Sequence, residues 1–104
     1  MDRYVSGNWV VKQGSSGEFI SRWKAFTQWS LDNAAGSEDF LLLQDAQDPQ
    51  HFISLGVWRD HESISAWRNL PEFATLLGRC RELCEDFRGV DYELVARPAA
   101  ARTA

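Results

Sequence analysis

Asn8 and Trp67 are the residues whose types and settings suit a ligand pocket with a polar contact. The sequence carries no Gly-rich phosphate loop, no flavin or nicotinamide fingerprint and no spaced set of metal ligands. What the chain can build without them is a dry aromatic slot with a polar group that holds a charged or polar ligand atom. The amide of Asn8, on a strand of apolar neighbours, is the candidate donor, and the indole of Trp67 is the candidate wall. Each has an ordinary structural reading beside it: a strand amide satisfied by backbone, and a tryptophan in plain core packing.

Further candidates surround this pair. Trp58 and Trp23 add aromatic surface, Phe73 follows Trp67 by six positions, and Arg68 can reach a substrate anion. Ser63 shares a helix face with Trp67. His61, at a helix start, reads as a surface residue. Cys80 and Cys84 fall on one apolar stripe and read as reduced core thiols, since a disulfide four residues apart would strain an intact helix.

The elements that position these residues follow from periodicity. Residues 4–12 read as a strand with Tyr4, Ser6, Asn8 and Val10 on one face and Val5, Gly7, Trp9 and Val11 on the other. A helix follows from a capping box at Ser15 and Glu18, with Phe19, Trp23 and Phe26 as its stripe. Residues 40–45 and 51–59 form an antiparallel hairpin. Asp60 caps a short helix carrying Ile64 and Trp67, and Pro71 starts a second one. Its stripe runs through Phe73, Leu76, Leu77, Cys80, Leu83, Cys84 and Phe87. Residues 91–97 close the order as a fourth strand. The result is β-α-β-β-α-β with the second helix broken, an α+β, ferredoxin-like fold with a four-stranded antiparallel sheet. Residues 1–98 form a single domain and 99–104 a disordered tail.

The third strand is apolar on both faces, whereas two helices cover only one. A second copy of the sheet is the simplest cover, so the sequence predicts a homodimer through its sheet faces. The 104 residues carry a net charge of −4, with no basic stripe, so neither nucleic acid nor an anionic membrane is an expected partner. No long apolar run or signal-peptide pattern is present, which points to the cytoplasm.

The Asn8 strand, the segment VWRDHESISAW, the PEF helix start and the closing YELV strand together resemble the antibiotic biosynthesis monooxygenase superfamily of dimeric α+β barrels. The resemblance spans residues 4–98. It implies a cofactor-independent monooxygenase acting on a small aromatic hydroquinone or polyketide-type substrate, with Trp67 and Phe73 at pocket positions. Some relatives have a tyrosine at the second of these. The haem-degrading branch pairs a strand Asn and a helix Trp, matched by Asn8 and Trp67, with an axial His where this chain has Leu77. A haem-binding or haem-degrading protein with altered ligation is therefore one alternative. A non-catalytic dimer that holds an aromatic ligand is another.

Overall fold

The computed structural model describes residues 3–100. Its elements run β1 (Arg3–Val11), α1 (Ser16–Asn33), β2 (Ser37–Gln44), β3 (His51–Trp58), α2 (His61–Arg68), α3 (Pro71–Arg81) and β4 (Cys84–Glu93). The sheet order is β2-β3-β1-β4, and every neighbouring pair is antiparallel. This is the α+β, ferredoxin-like arrangement expected. Of the expected tail, positions 101–104 lie outside the described residues.

Alternation on the strands decides what each face carries. On β3, Phe52, Ser54, Gly56 and Trp58 turn toward the helices and are buried. On β1 the same face holds Gly7, Trp9 and Val11. Phe19, Trp23 and Phe26 of α1, with Ile64 and Trp67 of α2, complete this core. The opposite sheet face carries Leu41 and Leu43 of β2 and Tyr92 of β4, each about half exposed at 48%, 54% and 54%. Ile53, Leu55 and Val57 share it. Among the described residues, no helix is long and apolar enough to cross a membrane.

Local signals set most boundaries. Asp60 caps α2 by accepting from the Ser63 amide at 2.8 Å and the Ser63 hydroxyl at 2.7 Å. Those two bonds, with Arg59 beside them, hold the Asp60 carboxyl down at about 2. A carboxyl depressed below its ordinary 3.8 adds stability above that value and loses it as pH falls toward 2. Asp60→Ala should therefore lower the melting temperature at neutral pH. The gap to wild type should close between pH 4 and pH 2 in a thermal-melt series. A gap that stays constant across that range would show that the cap is not what the carboxylate supplies.

Two expectations are corrected. The Ser15–Glu18 capping box does not form: the Ser15 side chain makes no cap bond, and Glu18 instead pairs with Arg22 at 2.8 Å. The last helix stops at Arg81 rather than continuing to Phe87, and β4 begins at Cys84 rather than at 91. The four-residue step from Leu83 to Phe87 satisfies a helix and a strand equally, being one turn or two alternations. Pairing decides it. Lys12 donates to Leu83 O at 2.8 Å, and β1 then has a partner along its whole length, from Cys84 opposite Val11 to Glu93 opposite Arg3. Cys84 thus sits on a strand, and both thiols are free. Burial pushes the Cys80 thiol up to about 12 and raises that of Cys84, so neither is a ready nucleophile.

Candidate active site

The inward faces of β3, β1 and β4 carry almost no side-chain bulk at their centre. Gly7 lies opposite Ser54 on one side and Gly89 on the other. Gly56 lies one step along, opposite Val5. Gly89 gives open floor to a cavity of about 630 Å3 between sheet and helices, while the Trp9 indole and Ser54 lie over Gly7 and the Phe40 ring lies over Gly56. Aromatic rings wall it: Trp9, Trp23, Phe26, Phe40, Trp67, Phe73 and Phe87 all border it, with Leu77 beside them. The stripe of α3 is only partly buried at Phe73 and Leu77 because it faces this space rather than filled core.

Trp67 is held firmly. Its indole N–H donates to Ser30 Oγ at 2.9 Å, and the Ser30 hydroxyl donates in turn to Phe26 O at 2.8 Å. Its ring meets Trp58 at 4.6 Å and Phe73 edge-on at 4.7 Å between centroids. With the N–H committed to α1, Trp67 offers the cavity a ring and no polar atom. That suits contact with a flat aromatic molecule.

At the rim, Arg68 and Asp91 form a two-pronged ion pair, with N–O distances of 2.9 and 2.6 Å. The guanidinium holds the Asp91 carboxyl below its ordinary value, and the carboxylate raises Arg68 in return. Asp91 is accordingly a poor base. The rim offers an ion pair, in which Arg68 keeps N–H groups beyond the two that Asp91 takes.

The structure gathers Trp67, Phe73, Trp23, Arg68 and Leu77 around one cavity. Trp58 is fully buried behind Trp67. Two predicted site residues are placed elsewhere. Asn8 falls on the opposite sheet face, because alternation along β1 puts it out of phase with Gly7 and Trp9. There Asn8 Oδ1 lies 2.9 Å from His51 Nε2, and His51 Nδ1 lies 3.0 Å from Asp45 Oδ2. A site joining Asn8 to Trp67 is therefore not formed. Ser63 is spent on the Asp60 cap and borders a groove beside α2, not the main cavity. His61 borders neither space.

Sequence reasoning missed Ser54, Gly7, Gly56, Gly89 and Asp91. For β3 the signal was available: Phe52, Ser54, Gly56 and Trp58 share one face, so two small residues stand between two large ones. Such a gap marks either close approach of backbone or an open space.

The fold and the aromatic cavity together define a small α+β, ferredoxin-like domain with a ligand-sized pocket between sheet and helices. The antibiotic biosynthesis monooxygenase family profile matches residues 3–78, and the chain belongs to that family. Among solved structures, SnoaB, a cofactor-independent oxygenase from Streptomyces nogalater, superposes with a TM-score of 0.82 at 18% identity, covering 94% of this chain and 95% of that one. A conserved protein from Methanosarcina mazei Go1 gives 0.79 at 19% identity, over 88% and 91%. Among curated proteins, none matches the sequence significantly.

Proposed function

We propose that the chain is a cofactor-independent monooxygenase that oxidises a small aromatic hydroquinone or polyketide-type substrate with O2. The observation that carries the reading is the ring-walled cavity over bare backbone, with Arg68 at its rim. Family membership and the likeness to a cofactor-independent oxygenase support it. A planar substrate lies on the floor at Gly89 against the ring of Trp67, with Phe73, Trp23 and Leu77 excluding water and Trp58 backing Trp67. Its ionised oxygen takes a hydrogen bond from an Arg68 N–H that the Asp91 pair leaves unused.

The chemistry closes without a redox group. For an anthrone, loss of a proton gives an enolate, which passes one electron to O2. Recombination of the radical pair forms a C–O bond, the peroxide anion takes a proton back from water, and the hydroperoxide loses water to leave a ketone. One oxygen atom stays on carbon, the other leaves as water, and the substrate provides all four electrons. Since Asp91 is held as a weak base, the substrate's own acidity governs the first step.

Haem in place of this substrate fits the cavity poorly. Leu77 offers only hydrocarbon, no histidine borders the space, and the Cys80 thiol is buried outside it. The unit is one domain over residues 1–98 that works in the cytoplasm. It works as a homodimer through the apolar outer sheet face of Leu41, Leu43, Ile53, Leu55 and Tyr92.

The test is O2 consumption by metal-stripped protein supplied with anthrones and naphthalene hydroquinones. Consumption well above autoxidation, with one O2 used per ketone formed, is the expected result. Rates equal to autoxidation across the panel would refute the oxygenase reading.

A further inference from the structure

The cavity is walled by rings, and most polar hydrogens on its border are already given to other parts of the protein. Trp67 donates to Ser30 Oγ at 2.9 Å, Thr27 Oγ1 to Trp23 O at 2.9 Å and Ser6 Oγ to Val90 O at 3.0 Å. Trp9 donates to Ser54 Oγ at 2.9 Å. Arg68 keeps N–H groups to give, but it stands at the rim beside Asp91. Ser54 differs from all of these. Its oxygen receives the Trp9 bond, yet its own proton goes to no acceptor among the described residues.

The position of Ser54 makes that proton available to a ligand. The residue lies on the inward face of β3, borders the cavity and is 9% exposed, so little water reaches it. Buried donors are nearly always paired, so one left over calls for a partner. A Cβ on Gly7 would stand 2.6 Å from Ser54 Oγ, which places the hydroxyl over β1 rather than back over β3. Gly7 in turn lies opposite Gly89, so the hydroxyl is one strand away from the open floor. The bond accepted from Trp9 also strengthens the bond that Ser54 gives.

We infer that the Ser54 hydroxyl is a specificity-determining donor at the deep end of the cavity, binding a carbonyl or phenolate oxygen on the buried edge of an aromatic ligand. The inference deepens the oxygenase reading and rests on its cavity, adding that the substrate carries oxygen at two edges. Arg68 is held at Asp91 on β4, and β1 separates that strand from Ser54 on β3, about 10 Å across the sheet. One ligand oxygen cannot meet both donors. A hydroquinone or a hydroxylated aryl ketone, with one oxygen at the rim and a second at the buried edge, satisfies both. A ring with a single oxygen leaves one donor unused.

The matched probes are 9-fluorenone and fluorene, which share a planar shape and differ at the carbonyl. A neutral carbonyl gains more from the dry donor than from the wet rim. In a titration of nitrogen-15-labelled full chain, the Trp9 indole N–H signal, assigned through its proximity to Ser54, should move further downfield with fluorenone than with fluorene. Once Ser54 donates to the carbonyl, its oxygen accepts more strongly from Trp9. Ser54→Ala should lower the ratio of fluorenone to fluorene affinity roughly three- to tenfold, the size of one neutral hydrogen bond. If that variant does not fold, Ser54→Cys, close in size and a weaker donor, should show the fall instead. An unchanged ratio, or binding of neither probe, would overturn the inference. A fall in the ratio with no O2 consumption on the substrate panel would uphold the Ser54 subsite and refute the oxygenase reading.

Discussion

Gly7→Ala should destabilise the protein by about 3–5 kcal/mol, whereas Gly89→Ala, directly across the strand pair, should be neutral or mildly stabilising. The two glycines share a face and a register yet meet different surroundings. A Cβ on Gly7 would stand 2.5 Å from Trp9 Nε1 and 2.6 Å from Ser54 Oγ. Trp9 is buried and packed on Phe19 and Phe87, with centroids 5.1 and 4.2 Å away, so it cannot retreat. The methyl group therefore overpacks the core and separates a buried hydrogen bond. A Cβ on Gly89 finds nothing closer than 3.5 Å, an ordinary contact with Phe87. Removing a glycine from a strand there mainly restricts the unfolded chain, worth about 0.4–1 kcal/mol. In thermal melts the Gly7 variant should fall by roughly 15–25 °C. Similar losses in both variants would mean that the floor is not shaped as described.

The second large effect is functional. Gly89→Phe should leave the fold intact and remove most of the activity. The new ring has room at its base, suits a strand position, and would lie on the floor where a planar substrate rests. Losing one buried face of the substrate removes about 2–3 kcal/mol of apolar contact. In kcat/KM that is roughly 30- to 150-fold. A circular-dichroism melt at or above the wild-type temperature distinguishes blockage from unfolding. Wild-type kcat/KM in a folded Gly89→Phe protein would place the substrate elsewhere.

Much of this architecture was legible from periodicity. The strand alternation of β1 and β3, the Asp60 cap and the Pro71 restart are local signals, and local signals fixed these boundaries to within a residue or so. What failed depended on distant partners. Leu83 and Phe87 fit two periods, and only pairing with β1 chose the strand, which also hid Gly89 and Asp91 from a reading by pattern. The misplacement of Asn8 has a simpler cause. The alternation already set Asn8 opposite Gly7 and Trp9, and a site shared with Trp67 required it to be on their side. The face mattered more than the residue type. Trp67 was legible because its spacing to Ile64 fixed its direction, but the use of its N–H on Ser30 was not. That bond joins helices whose packing no local pattern encodes.

The most direct test of the account compares O2 consumption on an anthrone by three metal-free proteins: wild type, Gly89→Phe and Asn8→Ala. Wild type should turn over, filling the inner floor should nearly abolish turnover, and removing the outer-face amide should leave it in place. Turnover that survives in Gly89→Phe but disappears in Asn8→Ala would contradict it, moving the chemistry to the other side of the sheet.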